Sequence, residues 1–238
     1  MVPTEVPHKG LTFVVTGTYN EATNIQTLIQ EVMKHDVHLV VVDDNSPDGT
    51  AVKVKELQQH YKNLHLIERP GKLGYGTAYA DGFRYSIEKG ATKIVSIDAD
   101  LSHDPKILPE MISMDKDIVI GSRYIPGGGT SWTLYRRIVS KGANTLARLF
   151  LGLPVRDVTS GYRLYKKAVL EAIELDKVKS DGYSFLQEIL YKAHKKGFSI
   201  GEVAIFFQDR REGQSKLSKK EMIKFFFNLV RLRLSKHA

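Results

Sequence analysis

From Leu11 onward, short apolar runs alternate with stretches whose apolar positions recur at helical spacing. Residues 11–16 (LTFVVT) read as a strand, and Ile25, Leu28, Ile29, Val32 and Met33 then return on one helix face. Residues 37–44 (VHLVVVDD) contain a continuous apolar run, which fits a strand covered on both faces. The pattern predicts a helix over 51–61, an extended segment over 63–68 and a helix over 77–90 that stops near Gly90. Strands follow at 93–100 and 116–122, with a short helix from Pro105 between them.

Strands and helices joined by short connections imply βαβ crossovers, and hence an α/β fold with a mostly parallel central sheet and helices on both faces. Ligands of such sheets bind at the carboxyl ends of the strands. Polar clusters fall there: TYNE after the first strand, DDNSPDGT after the second, DAD after the fourth and GSRY after the fifth.

The second half is less regular. Residues 124–132 (YIPGGGTSW) read as a loop, 134–151 as a helix, 156–166 as a mixture of extended and polar character, 183–197 as a helix and 198–207 as a late strand. No repeat or low-complexity linker interrupts the chain, so the expected organisation is one domain over 1–217 with a helical extension over 218–238. On a helical wheel, Lys220, Lys224, Asn228, Arg231 and Ser235 form a polar stripe on that extension. Met222, Ile223, Phe225, Phe226, Phe227, Leu229, Val230, Leu232 and Leu234 occupy much of the rest. Two readings of this apolar arc stand: packing on the domain, or contact with a membrane interface or a membrane-protein partner.

Composition narrows the chemistry. The 238 residues include eight His and no Cys, which removes thiolate nucleophiles, disulfides and thiolate zinc sites and leaves oxygen, nitrogen or a hard metal. Neither a signal-peptide pattern nor a run approaching ~18 apolar residues is present. The net charge of +8 is uneven: residues 1–120 carry 12 Lys/Arg against 17 Asp/Glu, and residues 121–238 carry 23 against 10. One half is built around carboxylates. The basic half fits a solvated surface, nucleic acid, anionic lipid or a phosphorylated substrate.

Asp98 and Asp100 flank Ala99 at a predicted strand end, where a turn brings both carboxylates onto one cation, Mg2+ or Mn2+ by donor type. An ordinary surface turn gives the same spacing. His103 and Asp104 read as turn or helix-start residues. Asp43 and Asp44 point to opposite faces, so at most one faces a ligand directly and the other caps backbone N–H groups in the following turn. Glu21 adds an acceptor suited to ribose hydroxyls or base N–H groups. RPGKLGYG (69–76) matches no phosphate-loop pattern, although Lys72 is placed to neutralise a phosphate. Arg123, Arg136, Arg137, Arg156 and Arg163 are the candidates for an anionic substrate, because guanidinium forks hold phosphate oxygens in pairs.

Taken together, TYNE at 18–21, DDNSPDGT at 43–50, DADLSHDP at 98–105, GSRY at 121–124, the W…RRIVSKGAN block at 132–144, DVTSGYR at 157–163 and REGQSKL at 211–217 resemble the dolichol-phosphate mannosyltransferase family. The resemblance runs in order from about residue 11 to 217. It implies a GT-A fold over 1–217 and inverting transfer of mannose from GDP-mannose to a dolichyl or other polyprenyl phosphate. Thr18, Tyr19, Asn20, Glu21, Asp44, Lys72, Asp98 and Ala99 would then hold the donor nucleotide. Asp98, Asp100 and Ser102 would hold Mg2+ or Mn2+. Arg123, Arg136, Ser140, Arg210, Arg211, Ser215 and Lys216 would surround the acceptor phosphate. Asp98, Asp100 and Arg123 carry the catalytic expectation, and the register leaves Arg136 and Arg137 as alternatives facing the acceptor.

Two departures stand out. Gly17 occupies a position where the family usually has Pro, and the chain ends at Ala238 without the membrane spans of some relatives, as in a compact form or a shortened chain. A peripheral location on the cytoplasmic side of a membrane follows from the resemblance, with a small membrane-protein subunit as a further partner. An acceptor phosphate is already anionic, so no residue is assigned as an obligatory base. Asp157 or Glu188 would orient the acceptor or the arginines, a buried structural role for Glu188 being the alternative. A polyprenyl-phosphate glucosyltransferase using UDP-glucose would need nearly the same features. From another class, a non-catalytic membrane adaptor or nucleic-acid-binding protein would use the basic half, but no recognisable nucleic-acid module is present.

Overall fold

The computed structural model describes residues 10–175, 178, 182, 184–209, 227 and 229–234. Strands β1 (Thr12–Thr18), β2 (His38–Asp43) and β3 (Leu64–Glu68) are linked by helices α1 (Ile25–Val32) and α2 (Thr50–Gln58). Helix α3 (Tyr75–Glu88) leads into β4 (Lys93–Ser96), and a 3-10 turn at Pro105–Ile107 runs through α4 (Leu108–Ser113) to β5 (Ile118–Ser122). Then come β6 (Gly129–Thr130), α5 (Leu134–Leu151), β7 (Arg163–Lys166), α6 (Lys167–Ile173), α7 (Ser184–Lys195), β8 (Ile200–Ala204) and β9 (Phe206–Phe207).

Seven strands form one sheet in the order β3-β2-β1-β4-β7-β5-β8. All neighbours are parallel except β7, which runs antiparallel between β4 and β5. The expected late strand is divided: β8 joins this sheet, while β9 pairs with β6 in a small second one. Strand order reverses between β1 and β4, and the crevice at their carboxyl ends is where α/β sheets place ligands.

The apolar runs become strands because both sheet faces are covered. Phe13, Val15, Val40 and Val42 enter one core with α3 and α7, while Val14, Leu39 and Val41 enter the other with α1. This is the two-residue alternation of a pleated strand, hidden in sequence because both sides are apolar. Gly17 brings α3 close: a Cβ there would stand 3.3 Å from that of Ala78, at the floor of the crevice.

At the C-terminal side, Leu229 and Leu232 are 2% and 3% exposed and belong to the core shared with α7. Arg231 donates to Glu188 across 3.2 Å, and Lys192 pairs with the same carboxylate at 2.9 Å. Glu188 therefore has the structural role left open from sequence, and packing on the domain describes Leu229 and Leu232. Phe227, Val230 and Leu234 are exposed. Lys220, Met222, Ile223, Lys224, Phe225 and Phe226 lie outside the described residues. Among the described residues, no helix is long and apolar enough to cross a membrane.

Candidate active site

The crevice is lined by Thr18, Tyr19, Glu21, Asp44, Lys72, Asp98, Ala99 and Asp100, eight of the residues expected there, together with Gly17, Gly74, Tyr75 and Ala78. Local geometry explains the convergence. Asn20 and Asn45 adopt left-handed backbone at φ 61° and 57°, turning the chain sharply after β1 and β2. Asn20 lies outside the lining and its backbone N–H donates to Ser46 Oγ at 3.0 Å, so it shapes the turn.

The two neighbouring aspartates divide as their opposite directions require. Asp43 accepts from Thr18 Oγ1 at 2.7 Å, from Ser46 N at 2.8 Å and from Ser46 Oγ at 2.6 Å, locking the ends of β1 and β2 together. Asp44 faces the crevice and is held by Arg69 at 2.7 Å and by the Gly74 backbone N–H at 3.2 Å. Lys72 closes over Tyr19, its ammonium 4.0 Å from the ring centre. Glu21 accepts from Asn24 at 2.9 Å, and its backbone carbonyl caps the start of α1.

Asp98 carries two tyrosines that sequence reading passed over. Tyr75 Oη donates to Asp98 Oδ1 at 2.9 Å, and Tyr79 Oη lies 3.4 Å from the same oxygen while donating to the Ile97 carbonyl at 2.7 Å. The signal was available in principle, since positions four apart on the first turns of a helix share a face. Gly161 makes room for this group: a Cβ there would be 3.1 Å from Tyr75 Oη and 3.4 Å from both Asp98 oxygens. Asp100 accepts from the Ser102 backbone N–H at 3.1 Å across Leu101, whose φ is 61°. Asp104 caps the following 3-10 turn by accepting from Lys106 N at 3.0 Å, the helix-start role expected of it.

Beside this acidic crevice lies a second cluster around Arg123, which is 8% exposed. Its Nε and one terminal nitrogen donate to the two Asp157 oxygens at 2.7 and 2.8 Å, and that terminal nitrogen also reaches Thr159 Oγ1 at 2.6 Å. Burial alone would raise the Asp157 carboxyl, but the Arg123 charge and hydrogen bonds outweigh it and hold the group below the usual carboxylate range. The rings of Tyr124, Trp132 and Phe207 surround the Arg123 guanidinium at 5.2 to 5.6 Å. Arg136 stacks on Trp132 at 4.4 Å and pairs with Asp209 at 2.7 Å, whereas Arg137 is exposed. Ser140 and Tyr124 share a hydrogen bond of 2.8 Å between their hydroxyls.

His103 joins the clusters and is more than a turn residue. It is 2% exposed, stacks on Tyr162 at 5.1 Å and meets the edge of Phe207 at 5.2 Å, with Nδ1 3.8 Å from Asp98 Oδ2. Burial lowers its pKa from 6.5 against the pull of Asp98 and Asp100, leaving a neutral imidazole near pH ~7.

One arginine expectation is corrected. Arg163 is 0% exposed and its guanidinium donates to the backbone carbonyls of Ser160, Val158 and Leu186, so it braces the interior and reaches no ligand. Arg156 is exposed, with its backbone N–H donating to Glu202 at 2.8 Å and its carbonyl accepting from the Asn144 side chain. Arg210, Arg211, Ser215 and Lys216 lie outside the described residues.

Hard-oxygen carboxylates at a strand-order switch, in a sheet with one antiparallel strand set into a parallel array, agree with the GT-A fold that the sequence resemblance implies. Residues 13–174 match the model of glycosyl transferase family 2. The chain is 39% identical over 226 residues to polyprenol monophosphomannose synthase of Mycolicibacterium smegmatis, covering 92% of this chain and 85% of the relative. It is 38% identical over 211 residues to undecaprenyl-phosphate mannosyltransferase of Micrococcus luteus, covering 86% of each. Among solved structures, mannosyltransferase PcManGT from Pyrobaculum calidifontis, in complex with GDP-Man and Mn2+, superposes with a TM-score of 0.63 at 16% identity. That superposition covers 94% of this chain and 65% of the other, a likeness of fold. The chain belongs to glycosyl transferase family 2, as a mannosyltransferase closely related to the dolichyl- and undecaprenyl-phosphate mannosyltransferases.

Proposed function

We propose that the protein transfers mannose from GDP-mannose to the phosphate of a polyprenyl phosphate, with inversion at the anomeric carbon. The observation that carries this reading is the adjacency of the acidic crevice around Asp98 and the cationic cluster around Arg123: His103 lies against Asp98, and Phe207 meets both the His103 ring and the Arg123 guanidinium. One side suits a nucleotide diphosphate and the other a phosphate monoester.

The residues fit a divalent cation. Asp98 and Asp100 offer hard oxygens to one crevice, and Ser102 Oγ is a buried hydroxyl without a hydrogen-bond partner beside them. Among the described residues no group of three or more acidic or His side chains is arranged as a complete ion site, so donor diphosphate oxygens would fill the remaining positions. Asp98, Asp100 and Ser102 would hold Mg2+ or Mn2+ there, and the ion would supply positive charge to the leaving diphosphate.

The protein residues supply binding and alignment. Glu21 and Asp44 face the nucleoside, and Lys72 closes beside Tyr19. The Tyr75 and Tyr79 hydroxyls restrain Asp98 Oδ1, which leaves Oδ2 as its less restrained oxygen. Arg123 and Arg136 orient the acceptor phosphate, with Asp157 setting the plane of Arg123. An oxygen of that phosphate forms the new bond to the anomeric carbon as the bond to GDP breaks. The attacking oxygen is already anionic, so alignment and charge stabilisation replace a general base. Such an acceptor is anchored in a bilayer and the multiply charged donor is soluble, which favours a peripheral protein at the lipid surface.

The reading is tested by incubating the protein with a polyprenyl phosphate and either GDP-mannose or UDP-glucose, with and without Mn2+, and identifying the glycolipid by mass spectrometry. Mannosyl phosphate lipid from GDP-mannose is expected. Glucosyl lipid alone would transfer the reading to the UDP-glucose enzyme.

A further inference from the structure

Two guanidiniums share one indole beside the crevice, and each has an acid of its own. The Arg123 guanidinium lies 5.2 Å and that of Arg136 4.4 Å from the Trp132 ring centre. The two ion pairs differ in kind. Arg123 gives Asp157 two bonds, and their side chains are 6% and 0% exposed. Arg136 gives Asp209 a single bond from Nη1 at 2.7 Å, and those side chains are 32% and 48% exposed. Breaking the first pair strands a charge in the interior, whereas an exposed pair of the second kind is held by about two- to fivefold, because water can replace either partner.

Opening the Arg136–Asp209 pair leaves Arg136 in place. Thr133 caps the first turn of α5 by accepting from the Arg136 backbone N–H, and the Trp132 ring supports the guanidinium independently of any acid. Asp209 is mounted through its main chain. Strand β9 pairs with β6, Ser131 N donates to the Phe207 carbonyl at 3.1 Å, and Asp209 N donates to Ser131 Oγ at 2.6 Å. These bonds fix the backbone of residue 209 and leave its carboxylate on a short rotatable arm at the rim of the cluster. On the other guanidinium, Nε and Nη2 serve Asp157 and Thr159, so Nη1 of Arg123 is the nitrogen without a partner among the described residues.

We infer that Asp209 is a placeholder: its carboxylate occupies the position on Arg136 that the acceptor phosphate takes, and acceptor binding exchanges one anion for the other. This inference rests on the assignment of the Arg123 cluster to the acceptor, and it names the group that the phosphate displaces. A phosphate monoester carries close to two charges on three oxygens and engages Arg123 Nη1 and Arg136 together, while Asp209 engages Arg136 alone, so the monoester prevails. Transfer of the sugar turns the monoester into a diester with a single charge. Asp209 then competes for Arg136 against a weaker anion, and its return favours release of the product.

The test compares the full chain with Asp209→Asn, which removes one charge at nearly constant volume. Calorimetry with a water-soluble short-chain isoprenyl phosphate, in the absence of donor, should show binding about two- to fivefold tighter in the variant, the reach of one exposed ion pair. A supporting role for Asp209 predicts the opposite sign. Affinity for GDP-mannose with Mn2+ should not change, nor should acceptor affinity in Asp115→Asn, which removes an equal charge before β5, at the far end of the sheet. The gain should vanish in an Arg136→Gln background and persist in Arg137→Gln. Trp132, the single tryptophan of the chain, should report arrival of the phosphate by a change in fluorescence. In turnover, KM for the acceptor should fall by the same factor, and the mannosyl phosphodiester of the same chain length should inhibit more strongly. Weaker or unchanged acceptor binding in Asp209→Asn, a gain that survives Arg136→Gln, or binding that leaves Trp132 emission unaltered would overturn the placeholder, and unchanged inhibition by the diester would overturn its part in release. If Asp209→Asn binds the phosphate more tightly but neither protein mannosylates it, the proposed function fails and the exchange stands.

Discussion

Arg123 and Asp157 form a buried, two-pronged ion pair whose oxygens lie 2.7 and 2.8 Å from the guanidinium nitrogens, with the Arg123 backbone N–H adding a third bond at 3.0 Å. The pair sets the Arg123 plane before any ligand arrives. Replacing Asp157 by Asn leaves a buried guanidinium without its counter-charge and is expected to cost about 3 kcal/mol of stability or more. Urea unfolding measures this. Arg123→Lys keeps a charge but loses the fork, so acceptor turnover should fall about 100-fold while calorimetric affinity for GDP-mannose changes little. Loss confined to donor affinity would move Arg123 to the other half of the site.

Asn at Asp98 or at Asp100 removes a carboxylate charge with almost no change in volume. Turnover should fall by about two to three orders of magnitude with the circular dichroism spectrum intact, and should recover only partly at saturating Mn2+. Equal turnover by both variants at limiting and saturating Mn2+ or Mg2+ would remove these residues from the reaction.

Tyr75→Phe removes the hydroxyl that donates to Asp98 Oδ1 at 2.9 Å and keeps the ring. Affinity for GDP in the presence of Mn2+, measured by calorimetry, should weaken about three- to tenfold, the value of one hydrogen bond. Affinity for GDP without metal should not change. A fall in both would mean that Tyr75 shapes the nucleotide pocket directly.

At the opposite end of the sheet, His65 lies 3.1 Å from His38 and 3.0 Å from Tyr85 Oη. Burial, then the charges of His38 and Lys89, lowers its pKa from 6.5. The unfolded chain therefore binds this proton more tightly than the folded one, and unfolding takes up a proton as the pH drops below the ordinary His value. The His65 contribution is present above pH ~6.5 and is lost on acidification toward the depressed value. The urea midpoint should hold steady from about pH 8 to 7 and decline below about 6.5, with a shallower decline in His65→Gln. An equal decline in that variant would assign it to another group.

The sequence by itself determined the alternation of β1 to β5 with their helices, because apolar runs and helical periodicity are local properties of the chain. It also marked the Asp43–Asp44 pair, Asp98, Asp100 and Arg123 by their places at strand ends, and the family resemblance singled out Asp44. Tertiary structure decided what those patterns leave degenerate. Packing gave the physical reason that Asp43 is a turn lock while Asp44 faces the crevice, and that Arg163 is spent on three carbonyls while Arg123 is oriented by Asp157. The antiparallel β7 escaped notice because four residues ending in Arg and Lys look like a surface segment until neighbours on both sides bury them. The exposed Phe227 and the buried Leu229 read alike in one dimension, because hydrophobicity says that a side chain seeks a partner, and only the assembled fold shows which of them has already found one.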